Sequence, residues 1–142
     1  MTSSVFPDVN VWLALLFADH IHRDRARAWW DADQSDVIAF LRLTQLGLLR
    51  LLTTAAAMNG TPLAMPEAWA AYDRLFVDQR VAFLDEQPGL ETRFRSYSRE
   101  QTASPKLWAD AWLLAFAEET SGTIVTFDRA LAARAQRSIL LA

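Results

Sequence analysis

The chain contains no cysteine, which excludes disulfide staples, thiolate nucleophiles and zinc–thiolate sites. Its only histidines, His20 and His22, are bunched in one polar stretch. That excludes a site built on several imidazoles and leaves Ser/His/Asp or paired-histidine chemistry without support. Lysine is nearly missing too: Lys106 is the single lysine among 14 basic residues, and the rest are arginine. The planar arginine fork suits phosphate recognition, although an Ala-rich, Arg-rich composition also follows from genomic base bias. An excess of positive charge is missing as well. The formal net charge of −3 argues against a general nucleic-acid coat protein, but not against a nuclease whose acidic site lowers the total. No apolar run approaches the roughly 18 residues of a membrane span. The first apolar stretch is broken by Asp8 and Asn10, unlike a signal peptide. The expectation is a soluble, cytoplasmic protein with no membrane partner.

What is present reads as one globular domain over residues 1–142: hydrophobic residues are 52% of the chain and charged residues 22%, too apolar for disorder. Short apolar runs at 5–7, 36–41, 80–84, 123–127 and 138–141 read as strands. Helical patterns lie between them at 10–18, 20–33, 43–57, 66–79, 90–99, 106–120 and 129–134, with Ser104 a candidate N-cap. Strands alternating with helices predict an α/β fold, a parallel sheet of about five strands with helices on both faces.

Three aspartates carry the functional signal. Asp8 follows the first strand, Asp128 follows the fourth, and Asp110 opens a helix. Ligands of a parallel α/β sheet bind outside the carboxyl ends of its strands, so these carboxylates can meet in one cleft. Oxygen-only ligands suit a hard divalent cation, Mg²⁺ or Mn²⁺. Each aspartate also has a plain structural reading: Asp8 and Asp128 as helix caps, Asp110 as a first-turn acid favoured by the helix dipole. Trp108, Trp112, Ala115 and Phe116 are spaced as the buried stripe of the Asp110 helix, which sets Asp110 about 160–200° away from it. Trp29 and Trp30 are adjacent, so one of them is expected to serve a dimer or partner contact rather than the core.

Three segments together resemble PIN-domain proteins, and most closely the VapC-type toxins of bacterial toxin–antitoxin pairs. They are Asp8-Val9-Asn10-Val11-Trp12-Leu13, Leu107-Trp108-Ala109-Asp110-Ala111-Trp112, and Val125-Thr126-Phe127-Asp128-Arg129. The stretches beginning at His20 and at Arg42 resemble one VapC subgroup. The resemblance implies a PIN-like three-layer α/β/α sandwich, metal-dependent endoribonuclease activity, a homodimer and a small VapB-like antitoxin. It places Asp8, Asp110 and Asp128 as metal ligands and implies RNA substrates such as tRNA or ribosomal RNA loops. Many members carry a further glutamate on the helix after the second strand. Gln45 stands in that neighbourhood, where it brings a carbonyl oxygen but no charge, and Ala130 replaces a further acid sometimes found after the last aspartate.

Three carboxylates suffice for one Mg²⁺ that also binds a phosphate, whereas two ions roughly 3.5–4 Å apart are harder to hold without a fourth acid. The metal-dependent mechanism class implies 5′-phosphate and 3′-hydroxyl products. Candidate supporting residues are Gln45 beside the metal, and Asn10, Thr126, Arg42 and Arg50 toward the substrate. Each of these has a reading as ordinary polar surface or strand chemistry. His20 and His22 read as surface residues at a helix start. Two rivals stand beside this reading. One is a PIN-fold module that has lost cleavage and retains antitoxin or RNA binding. The other is a different phosphotransfer enzyme, but Asp8-Val9-Asn10 lacks the Asp-x-Asp of one such class, and the sole lysine lies before a helix rather than at a strand end.

Overall fold

A computed structural model describes residues 2–141. Among the described residues are five strands: β1 (Ser4–Pro7), β2 (Val37–Phe40), β3 (Val81–Phe83), β4 (Thr123–Thr126) and β5 (Ser138–Leu140). Seven helices connect and flank them: α1 (Val9–Leu16), α2 (Arg23–Ala32), α3 (Arg42–Leu52), α4 (Met65–Leu75), α5 (Leu90–Ser96), α6 (Leu107–Glu119) and α7 (Arg129–Arg134). All strand pairs are parallel, in the order β3-β2-β1-β4-β5.

Why the strands are apolar throughout follows from this arrangement. A parallel sheet is covered on both faces, so successive side chains all need apolar partners. Val5, Ile38, Phe40 and Val125 face a core shared with α1, α2, α3 and α4. Phe6, Ala39, Leu41 and Ile124 face the opposite core, against α5, α6 and α7. On the first face Trp12 is fully buried and stacks on Phe40, with ring centroids 3.9 Å apart at 16°. On the second face Phe6 packs against Phe116. The result is a three-layer α/β/α sandwich.

The topology fixes where a ligand goes. From central β1 the chain first winds outward to β2 and β3, then returns to lay β4 on the other side of β1. The switch point is therefore between β1 and β4, and the crevice outside their carboxyl ends is the expected binding place.

Several sequence expectations shift. The helix expected over 43–57 ends at Leu52 and gives way to turns, and that expected over 66–79 ends at Leu75. Ser104 does not cap α6; its hydroxyl donates to the Thr102 carbonyl instead. The stripe on α6 is broader than its spacing suggests. Residues 113–117 are all buried, because α6 is covered by the sheet and by α5. Trp108, in the first turn, is 59% exposed and only leans edge-on against Phe94. Trp29 and Trp30 both join the first core. Trp29 is buried, and Trp30 meets Trp12 edge-on while the Arg80 guanidinium lies over its ring. Trp30 keeps part of its surface, beside a hollow with Arg27 and Arg74.

One close approach makes a test of the packing. A Cβ on Gly122 would overlap the edge of the Phe6 ring, and Phe6 is fully buried with nowhere to move. Gly122→Ala is expected to cost about 1–3 kcal/mol through overpacking, read as a lowered denaturant midpoint with an unchanged slope.

Candidate active site

Asp8 and Asp128 reach the crevice through strand register. Pro7 pairs with Val125, and the Asp8 N–H continues the ladder to the Val125 carbonyl at 2.9 Å. That sets Asp8 beside Thr126. The Thr126 side chain is completely buried; its hydroxyl donates to Asp8 Oδ2 at 3.0 Å and accepts the Asp128 N–H at 2.9 Å. By strand alternation, Asp8 and Thr126 lie on the same side as Phe6 and Ile124, the side covered by α6.

Asp110 comes from the first turn of α6. Together with Asp8 it lines a cleft of about 330 Å³, whose opposite wall is α3, with Thr44, Gly47 and Arg50. Asp128 is exposed and caps α7: its Oδ1 accepts the N–H groups of Ala130 at 2.8 Å and Leu131 at 3.2 Å, and Oδ2 has no protein partner among the described residues. The structural reading of Asp128 as a cap is therefore met by one oxygen, leaving the other for chemistry. Asp8 precedes α1 without a side-chain cap bond.

The electrostatics are those of carboxylates crowded without an ion-pair partner. Burial pushes the Asp8 carboxyl above its ordinary value, the Thr126 hydroxyl and the Val9 and Asn10 amides pull the other way, and the Asp128 charge raises it further. Asp110 is pushed up to about 6, by burial first, then by the charges of Asp8 and Asp128, with Arg134 opposing. None of the three makes an ion pair among the described residues. Such a donor set, all oxygen and unneutralised, fits a hard divalent cation in its chemistry. Its geometry is open: among the described residues no three His, Cys, Asp or Glu side chains are grouped closely enough to enclose an ion.

The structure does not bring Gln45 to the cleft. Gln45 is buried on the other side of α3, where its carbonyl oxygen accepts from Arg42 and its amide meets Tyr72 of α4. Among the α3 residues that line the cleft is Gly47, missed in the sequence although it lies three positions before Arg50 and so on the same helix face. A Cβ at Gly47 would come within 2.9 Å of Val9 Cγ2, so a side chain there must push Val9 aside. Arg50 does line the cleft. Arg42 does not: its guanidinium lies over the Phe83 ring, 4.7 Å from the centroid, beside a separate hollow with Asp85 and Glu86. The Asn10 side chain is exposed and does not line the cleft. Thr126 faces carboxylates and its one hydroxyl hydrogen is committed to the bond with Asp8, so it positions Asp8.

The PIN domain family model matches residues 5–136. The chain is 42% identical over 128 residues to Ribonuclease VapC41 of Mycobacterium tuberculosis, covering 87% of this chain and 88% of that one. It is 33% identical over 132 residues to Ribonuclease VapC44 of the same organism, covering 88% and 86%. Among solved structures, M. tuberculosis VapC20, a sarcin–ricin loop cleaving toxin, superimposes with a TM-score of 0.67 at 17% identity over 91% of this chain and 93% of that chain. The chain belongs to the PIN-domain family, in its VapC-type branch.

Two variants test the site's construction. Asp110 has a folded-state value of about 6 against an ordinary 3.8, so the native state holds the proton more tightly than the unfolded state. Stability therefore falls as pH rises from about 4 to about 6 and stays lowered above that. Asp110→Asn should stabilise the chain by about 1–2 kcal/mol at pH 7.5, after discounting for the group's partial exposure, and the gain should vanish near pH 4 in urea titrations. Thr126→Val, which strands the Asp128 N–H, should destabilise by about 1–3 kcal/mol.

Proposed function

We propose that the chain is an endoribonuclease toxin of the VapC type, hydrolysing RNA phosphodiesters with Mg²⁺ or Mn²⁺ held by Asp8 and Asp110 and completed by Asp128. The observation that carries it is the convergence of unpaired carboxylates on the cleft at the β1/β4 switch point. The ribonuclease names of the VapC41 and VapC44 relatives and the cleaving-toxin description of VapC20 support the same reading. Ribosomal RNA loops and tRNA are the substrates we favour.

When bound, the cation would offset charge on the scissile phosphate and make a water easier to deprotonate. The chain's residues do the rest. Thr126 fixes Asp8 and the Asp128 backbone in one frame. Asp110, pushed up to about 6 by burial and by the charges of Asp8 and Asp128, is the carboxyl whose charge a bound cation would most relieve. Arg50, on the far wall, supplies a fixed positive charge toward phosphate oxygens without an ion-pair partner among the described residues. Gly47 leaves the α3 wall without a fourth acid, so one ion is the simplest complement. In the cell we expect a cytoplasmic homodimer kept silent by a VapB-like antitoxin that occludes the cleft.

A second reading has an observation in its favour. The open arrangement of the three carboxylates fits a weakened module that binds antitoxin or RNA without cutting. Incubating the antitoxin-free chain with total RNA decides between them. The nuclease reading expects discrete cuts with Mn²⁺ or Mg²⁺ that disappear with EDTA and fall at least 100-fold in Asp8→Asn. Intact RNA under every metal condition moves the non-cutting module to the front.

A further inference from the structure

The turn between α1 and α2 meets the end of β4 on the face away from the cleft. Phe127 lies there, between Thr126 and Asp128, with its side chain against the α1/α2 core. The His22 ring stacks on Phe127 with centroids 4.6 Å apart at 30°, and His20 lies nearly parallel at 6.5 Å. The Arg25 guanidinium sits over the same ring, 5.9 Å from its centroid, and abuts His22 Nδ1. Ile21, between the two histidines, is 87% exposed.

The hydrogen bonds orient this group. His20 Nδ1 accepts the His22 backbone N–H at 3.0 Å, and His22 Nδ1 faces a guanidinium, which can only donate. The His20 ring is thereby neutral, with its proton on Nε2. Burial, and then the neighbouring His22, hold the His20 pKa below its ordinary value, in keeping with that state. Arg23, next in the chain, is committed to the Leu15 carbonyl. Arg25 makes no ion pair with a carboxylate among the described residues. The turn therefore offers aromatic faces and an Arg25 guanidinium not ion-paired among the described residues, with the carboxylates of Asp19 and Asp24 beside them in the chain.

We propose that His20 and His22, stacked on Phe127, form with Arg25 a docking platform for the nucleotide adjacent to the phosphodiester being cut in single-stranded RNA. This rests on the ribonuclease reading above and assigns positioning residues to it. Bases of unpaired RNA stack on aromatic rings, imidazoles included, and guanidinium groups engage phosphates. The position suits one strand serving both places. Phe127 and Asp128 are consecutive, so their Cα atoms are about 3.8 Å apart, and an RNA strand crossing the end of β4 meets the cleft on one side and the platform on the other.

The test uses a fluorescein-labelled single-stranded oligoribonucleotide and the full chain. Binding is read by anisotropy in EDTA, and cleavage kinetics are read with Mn²⁺. Phe127 is left intact because it also packs in the core. His22→Ala and Arg25→Gln should each raise KM and Kd about tenfold, with kcat changed less than twofold and melting temperature unchanged. Arg25→Gln should also flatten the salt dependence of binding by about 0.7 in log–log slope, whereas His22→Ala should leave it alone. Arg25→Lys should restore the slope. A parent that binds and cleaves, beside folded variants that match it in KM, Kd and slope, overturns the platform and leaves the nuclease reading standing. A parent that neither binds nor cleaves the RNA overturns both.

Discussion

A single buried hydroxyl carries much of this arrangement. Thr126 has no solvent access, yet it holds Asp8 with its proton and the Asp128 amide with a lone pair. Those two bonds join the carboxyl end of β1 to the start of α7 across the switch point of the sheet. They exist only because Pro7 and Val125 are in register. A slip of one residue would turn Asp8 to the opposite face, and the cleft under α6 would lose its first carboxylate.

What the hydroxyl holds together is otherwise unfavourable. Burial raises the proton affinity of both Asp8 and Asp110, the Asp8 charge raises that of Asp110 further, and Asp128 adds to both. A fold selected only for stability would pair or dilute these charges. Their crowding without an ion-pair partner among the described residues is the physical argument for a cation, because a divalent ion would convert repulsion into coordination. Asp128 is exposed and the three acids are openly spaced, so a cation held there would need the substrate phosphate to complete its coordination.

Much of this is legible in the sequence. The apolar runs marked the strands because a sheet covered on both faces needs them, and Asp8 and Asp128 stood out because each ends such a run. Helix phase was harder. Gln45 drew attention as the polar residue nearest a family acid, but it faces Tyr72, and the face over the cleft belongs to Gly47 and Arg50. A glycine gives no sequence signal for what it admits. Trp108 was misplaced for a related reason: the spacing of large residues on α6 does not show that the small ones, Ala111, Ala115 and Ala117, are buried too. The pairing of His20 and His22 with Phe127 spans more than a hundred positions and could not be seen in any local pattern.

The central claim is that the three carboxylates form one cation site, and calorimetric titration with Mn²⁺ at pH 7.5 tests it most directly. One ion per chain is expected, with binding lost in Asp8→Asn and in Asp110→Asn while both variants remain folded. Absence of binding to the parent, or binding that both variants retain, would contradict the account.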